Sequence, residues 1–80
     1  MTPQGLQQEL HHLEEVSVNI LGYAPSCFKA AQAAAEAGDL NTCRRIIDSA
    51  IPVFSQADLG YVSAPLIGIH RELGETLTAA

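Results

Sequence analysis

The sequence predicts an all-α protein, a small bundle of about four helices joined by short turns, with residues 1–80 as a single helical domain and residues 25–54 as its central hairpin. Three observations predict it. Helix-start and helix-stop residues recur along the chain, apolar residues repeat at steps of three and four, and no run alternates as a half-buried strand would.

Thr2-Pro3 opens the first helix, a capping hydroxyl followed by a proline whose missing N–H costs nothing in the first turn. This helix is expected over about residues 3–21. Leu6, Leu10, Leu13 and Ile20, flanked by Val16 and Leu21, form its apolar stripe, and Gln7, Gln8, Glu14 and Glu15 lie off it. Gly22 ends it. Pro25-Ser26 opens the second helix, whose residues 30–37 are alanine at six of eight positions before Gly38 stops it. Asp39 is placed to cap the third helix, in which Leu40, Cys43, Ile47, Ala50 and Phe54 step by three and four, broadened by Ile46, Ile51 and Val53. Pro52 falls on the outward face with Arg45 and Ser49, and a bend or an early end is expected there. Ser55–Asp58 has capping character and is expected to restart a short turn before Gly60. Ser63-Ala64-Pro65 is expected to start the last helix, with Leu66, Ile69, Leu73 and Leu77 facing inward. Gly68 and Gly74 each weaken it by about 1 kcal/mol relative to alanine, and mark places where another backbone could come close.

The segment Ala37-Gly38-Asp39-Leu40, with Cys43, Ile47, Ala50 and Ile51 after it, resembles the turn and second helix of a tetratricopeptide repeat. The resemblance stops there, because the preceding helix has alanines where that family carries a large aromatic and a glycine, and the chain has room for two hairpins at most. Such hairpins usually bind peptides or helices. The segment is taken as a common way of turning between two helices, and no family is assigned.

Composition narrows the function. Nine acidic residues against four basic ones give a net charge of −5, the wrong sign for gripping phosphate backbones, so direct nucleic-acid binding is not expected. No run of ~18 apolar residues and no cationic leader is present, which predicts no membrane span, no signal peptide and a cytoplasmic chain. The core must be thin, because the 48% apolar content comes mostly from Ala, Leu, Ile and Val, with two Phe, two Tyr and no Trp. A chain with little large apolar surface to bury usually gains stability from a partner or a second copy.

Candidate chemistry is sparse. His11 with Glu15, one turn on, could begin a metal site with His12 and Glu14, but a closed site needs about four ligands, and an exposed i, i+4 pair is the plainer account. Cys27, in the first turn of the second helix, could be a reactive thiolate, or a small hydrophobe beside Phe28. Cys43 sits on the third helix's stripe as packing. A reversal at Gly38-Asp39 leaves the two cysteines about 10 Å apart along the axis at ~1.5 Å per residue, too far to bridge. His70 lies on or beside the last stripe, as a satisfied core residue or as a switch. Arg44 is expected to pair with Asp48, and Arg45, with Lys29, is free to meet an acidic partner. No phosphate loop, nucleophile elbow or paired carboxylates appear, so no enzyme activity, catalytic residue, metal or cofactor is expected.

The expectation is therefore a small protein–protein interaction module, a helical adaptor, inhibitor or assembly chaperone that covers a partner's surface, with a homodimer as one form. One alanine face of the second helix packs on Ile47, Ala50 and Phe54. The other is where a second chain would dock, through Lys29, Ala30, Ala33 and Ala37, with Arg45 nearby. Two alternatives belong to other classes. One is an acidic phage-type inhibitor or nucleic-acid mimic, its scattered Glu9, Glu14, Glu15, Asp48, Asp58, Glu72 and Glu75 occupying a basic groove. The other is a thiol or metal sensor using Cys27 or His11 and His12.

Overall fold

The computed structural model describes residues 2–79. They form four helices: α1 (Pro3–Leu21), α2 (Ser26–Glu36), α3 (Leu40–Gln56) and α4 (Gly60–Ala79). There is no strand among the described residues. The capping chemistry read from the sequence is in place. The Gly5 amide donates to Thr2 Oγ1 at 3.1 Å, and Gly22 closes α1 at φ 82°. Gly38 takes φ 76° while the Asp39 amide reaches back to the Ala34 carbonyl at 2.9 Å. Asp39 then caps α3, accepting from the Thr42 amide at 3.2 Å and from its hydroxyl at 2.6 Å. These two donors hold the Asp39 acid below its usual range.

Each helix packs on the next, and α1 meets α4 over a short stretch only, so the four close a ring with a loose α1/α4 seam. Leu6, Leu10 and Leu13 of α1, Phe28, Ala31 and Ala35 of α2, Cys43, Ile47, Ala50 and Phe54 of α3, and Val62, Leu66, Ile69 and Leu73 of α4 form one core. Phe28 and Phe54 lie with ring centroids 5.7 Å apart, a tilted pair that joins α2 to α3. Little space is left inside: a void of about 10 Å³ among Leu10, Phe28, Ile47 and Leu66 is too small for more than one water.

Five local expectations give way to the tertiary structure. The buried face of α1 ends on Ser17, not Ile20, which is exposed because no neighbouring helix covers that side of the last turn. Glu14 is buried, not solvated, because α2 lies over it: Gln32 Nε2 donates to its carboxylate at 3.4 Å and Lys29 Nζ stands 3.9 Å away. The early end at Pro52, one of the two outcomes expected there, does not occur. α3 runs to Gln56, since Pro52 and the carbonyl it frees on Asp48 both lie on the exposed face. Ser55–Asp58 is that helix's closure: Asp58 adopts φ 60° and the Leu59 amide bonds the Phe54 carbonyl at 2.9 Å. Finally, α4 starts at Gly60, ahead of Ser63-Pro65, because burial of Val62 and Ser63 holds the extra turn. The donor missing at Pro65 affects only the carbonyl of solvent-exposed Tyr61.

Candidate interaction groove

The second face of α3 builds a mostly apolar concavity. One face carries Cys43, Ile47, Ala50 and Phe54 into the core. Turned from it, Thr42, Ile46, Ser49, Val53 and Ala57 step by four, three, four and four along the helix, a second stripe at helical spacing. Across from it stand Leu21 at the end of α1, Tyr23 and Pro25 of the α1–α2 link, and Ser26 and Cys27 at the start of α2. Leu59 closes one end. The result is a groove of about 650 Å³ with mostly apolar walls, in which Tyr23 is 62% and Val53 65% exposed. Its polar groups are four hydroxyls, Ser26, Thr42, Ser49 and the Tyr23 phenol, the Cys27 thiol and one cation, Arg45. Arg45 has no carboxylate within ion-pair distance among the described residues.

All five residues expected to meet a partner, Lys29, Ala30, Ala33, Ala37 and Arg45, are on the surface. Only Arg45 lines the groove. Ala31 and Ala35 are the buried face of the alanine helix, and Ala34 is half-buried against the core. Ala30 lies one turn beyond Ser26 and Cys27 on the groove side of α2, whereas Lys29 reaches toward Glu14 of α1. The groove residues Ile46 and Val53 are legible in the sequence only as a broadening of the core stripe. Their outward spacing with Thr42 and Ser49 is the signal that marks a second face.

The remaining candidate groups are scattered. His11 Nε2 contacts Glu15 at 2.9 Å and its Nδ1 lies 3.5 Å from Glu14. No set of three or more His, Cys, Asp or Glu side chains is arranged to hold a metal among the described residues. Cys27 is half-buried and Cys43 fully buried, and both are free thiols. Burial pushes the Cys27 thiol up, against the pull of its backbone hydrogen bonds, and pushes Cys43 up to about 11. The thiolate that a reactive cysteine needs is thus disfavoured at both. His70 is a partly covered residue beside the α4 stripe, with Nε2 3.4 Å from Asp48. Asp48 is therefore engaged by His70, and Arg44 does not pair with it. The Arg44 guanidinium instead lies against Gly74, where an added Cβ would stand 2.7 Å from Nη2. So Gly74 admits a side chain and not a backbone, and Gly68 faces open space. Among the acids, Glu14, Glu15, Asp39 and Asp48 have partners within the chain.

Among the described residues, no helix is long and apolar enough to cross a membrane. Comparison with protein-family models, curated proteins and solved structures finds no match to this chain.

Proposed function

We propose that the chain is a protein–protein interaction module that covers one amphipathic helix of a partner in the groove between α2 and α3. The observation that carries this is the second stripe of α3, in which Ser49, Val53 and Ala57 are exposed and Thr42 and Ile46 half-buried, lining a groove beside exposed Tyr23. Its length suits a helix. From Thr42 to Ala57 the wall runs about 22 Å at ~1.5 Å per residue, enough for side chains at i, i+3, i+4 and i+7 to anchor successively. Arg45 at the rim, with no carboxylate partner of its own, calls for an acidic residue beside those anchors. Adaptor, inhibitor and assembly chaperone are uses of this one mode, and a second copy of the chain is one candidate partner.

The test compares retained partners. The tagged protein, Val53→Asp and Arg45→Glu are used in parallel to capture binding proteins from the cell of origin, with light scattering at micromolar concentration to detect self-association. Both residues are exposed, so both variants should keep the fold, with stability changes within about 0.5 kcal/mol. A helical partner, or a dimer, held by the parent and lost by both variants is the expected result. Retention unchanged by either substitution would remove the groove from the binding surface.

A further inference from the structure

The four basic residues of this acidic chain are not evenly spread. Arg44, Arg45 and Arg71, three of the four, line two adjoining concavities along the α3/α4 seam, which share Arg44 and His70. The cleft on the α4 side, about 650 Å³, is walled by Arg44, His70, Arg71, Gly74, Glu75 and Thr78. We propose that this cleft binds a phosphate group.

Arg44 is the fixed element. Its guanidinium occupies the space that a side chain at position 74 would fill, with Cζ 3.1 Å and Nη2 2.7 Å from where a Cβ would stand. A glycine in the middle of α4 thereby seats a charged group at the base of the cleft. Arg44 Nε is buried without a hydrogen-bond partner among the described residues, and no carboxylate there lies within ion-pair distance of the guanidinium. The charge is therefore held in place yet not neutralised. Arg71, exposed on α4, brings a second guanidinium from the other wall, and His70 adds an imidazole.

Two carboxylates oppose these groups, Asp48 against His70 and Glu75 on the rim. They weaken the site without cancelling it, because within the cleft itself the two guanidinium groups of Arg44 and Arg71, beside the His70 imidazole, face Glu75 alone, while Asp48 lines the adjoining concavity. A tetrahedral dianion can accept from α3 and α4 at once, whereas a planar carboxylate is satisfied by one guanidinium fork. The lining therefore favours phosphate over a partner's Asp or Glu.

An NMR titration of the folded chain with inorganic phosphate at low ionic strength tests the site, with sodium chloride and sodium acetate titrated separately as controls. Saturable shifts confined to amides around Arg44 and residues 70–75 are expected with phosphate alone. Arg71→Gln, an exposed substitution, should weaken binding about tenfold or more, the worth of a hydrogen bond to a charged group. Gly74→Ala, which displaces the guanidinium, should weaken it while the chain stays folded. Lys29→Gln, remote from the cleft, should not. Shifts that fail to saturate, that acetate or chloride reproduces, or that Lys29→Gln weakens as much as Arg71→Gln would overturn the proposal. A parallel arm with a phosphoserine peptide identifies the source. Tighter binding of the peptide than of phosphate points to a modified side chain, and the reverse points to a free phosphate compound. Either order supports the site.

Discussion

Ser17 is wholly buried in α1, and its hydroxyl has no hydrogen-bond partner among the described residues. A buried hydroxyl that loses water without gaining a partner costs about 1–3 kcal/mol, and alanine is the better helix former. Ser17→Ala should therefore raise stability by about 1 kcal/mol in a denaturant titration, and a loss would show that the hydroxyl is bonded. Titratable residues set the pH limits. Cys43 is pushed up to about 11 from 9.0 by burial, and Cys27 is raised in the same direction. The folded chain prefers the neutral thiol, so this contribution is whole below pH 9.0 and is lost as pH rises from there through about 11. Asp39 runs the other way. Its acid is depressed, so its contribution is present above 3.8 and is lost as pH falls through its folded value. Melting temperature plotted against pH should fall at both ends, and Cys43→Ala should flatten the alkaline limb relative to its own value at neutral pH. An alkaline limb unchanged in Cys43→Ala would assign it to other groups.

At the scale of the element, the local signals were the legible ones. Thr2, Gly22, Gly38 and Asp39 each act on backbone within a few residues, so α1, α2 and the start of α3 fall close to where their chemistry says. What the sequence could not show is decided by neighbours across the bundle. Burial of Val62 draws α4 back past Pro65, α2 covers Glu14, and His70 engages Asp48, which leaves Arg44 to turn toward Gly74. The groove is half legible: Arg45 reads as a partner-facing cation and Ile46 does pack against the core, while Val53 reads as core yet is exposed, because spacing alone does not say which of two adjacent faces is covered. The two mid-helix glycines of α4 separate these influences. Gly68 faces open space, so Gly68→Ala should gain about 1 kcal/mol, a rise of about 4–8 °C in melting temperature for a domain this size. Gly74→Ala should gain less, since the new Cβ must push the Arg44 guanidinium aside. Equal gains would mean that Arg44 is not seated there.

For the whole molecule, a core of two phenylalanines among leucine, isoleucine, valine, alanine and cysteine leaves apolar groups on the outside, with Tyr61 84% exposed on α4 as well as Tyr23 and Val53 at the groove. Single exposed apolar residues are common, so it is their alignment along the open wall of α3 that argues for an occupant. The cationic α3/α4 cleft lies on the opposite side of α3, which lets one helix serve two surfaces. The raised thiols argue against a thiolate sensor and give Cys27 a different use, as a reporter. It lines the groove and is half-buried, whereas Cys43 is sealed in the core. The rate of maleimide labelling at Cys27 therefore measures whether the groove is covered, in the free chain and in the isolated complex or at rising concentration of the chain itself. A helix seated between α2 and α3 should cover Cys27 and slow that rate. Equal rates in the free chain and in an intact complex would contradict the groove as the binding surface.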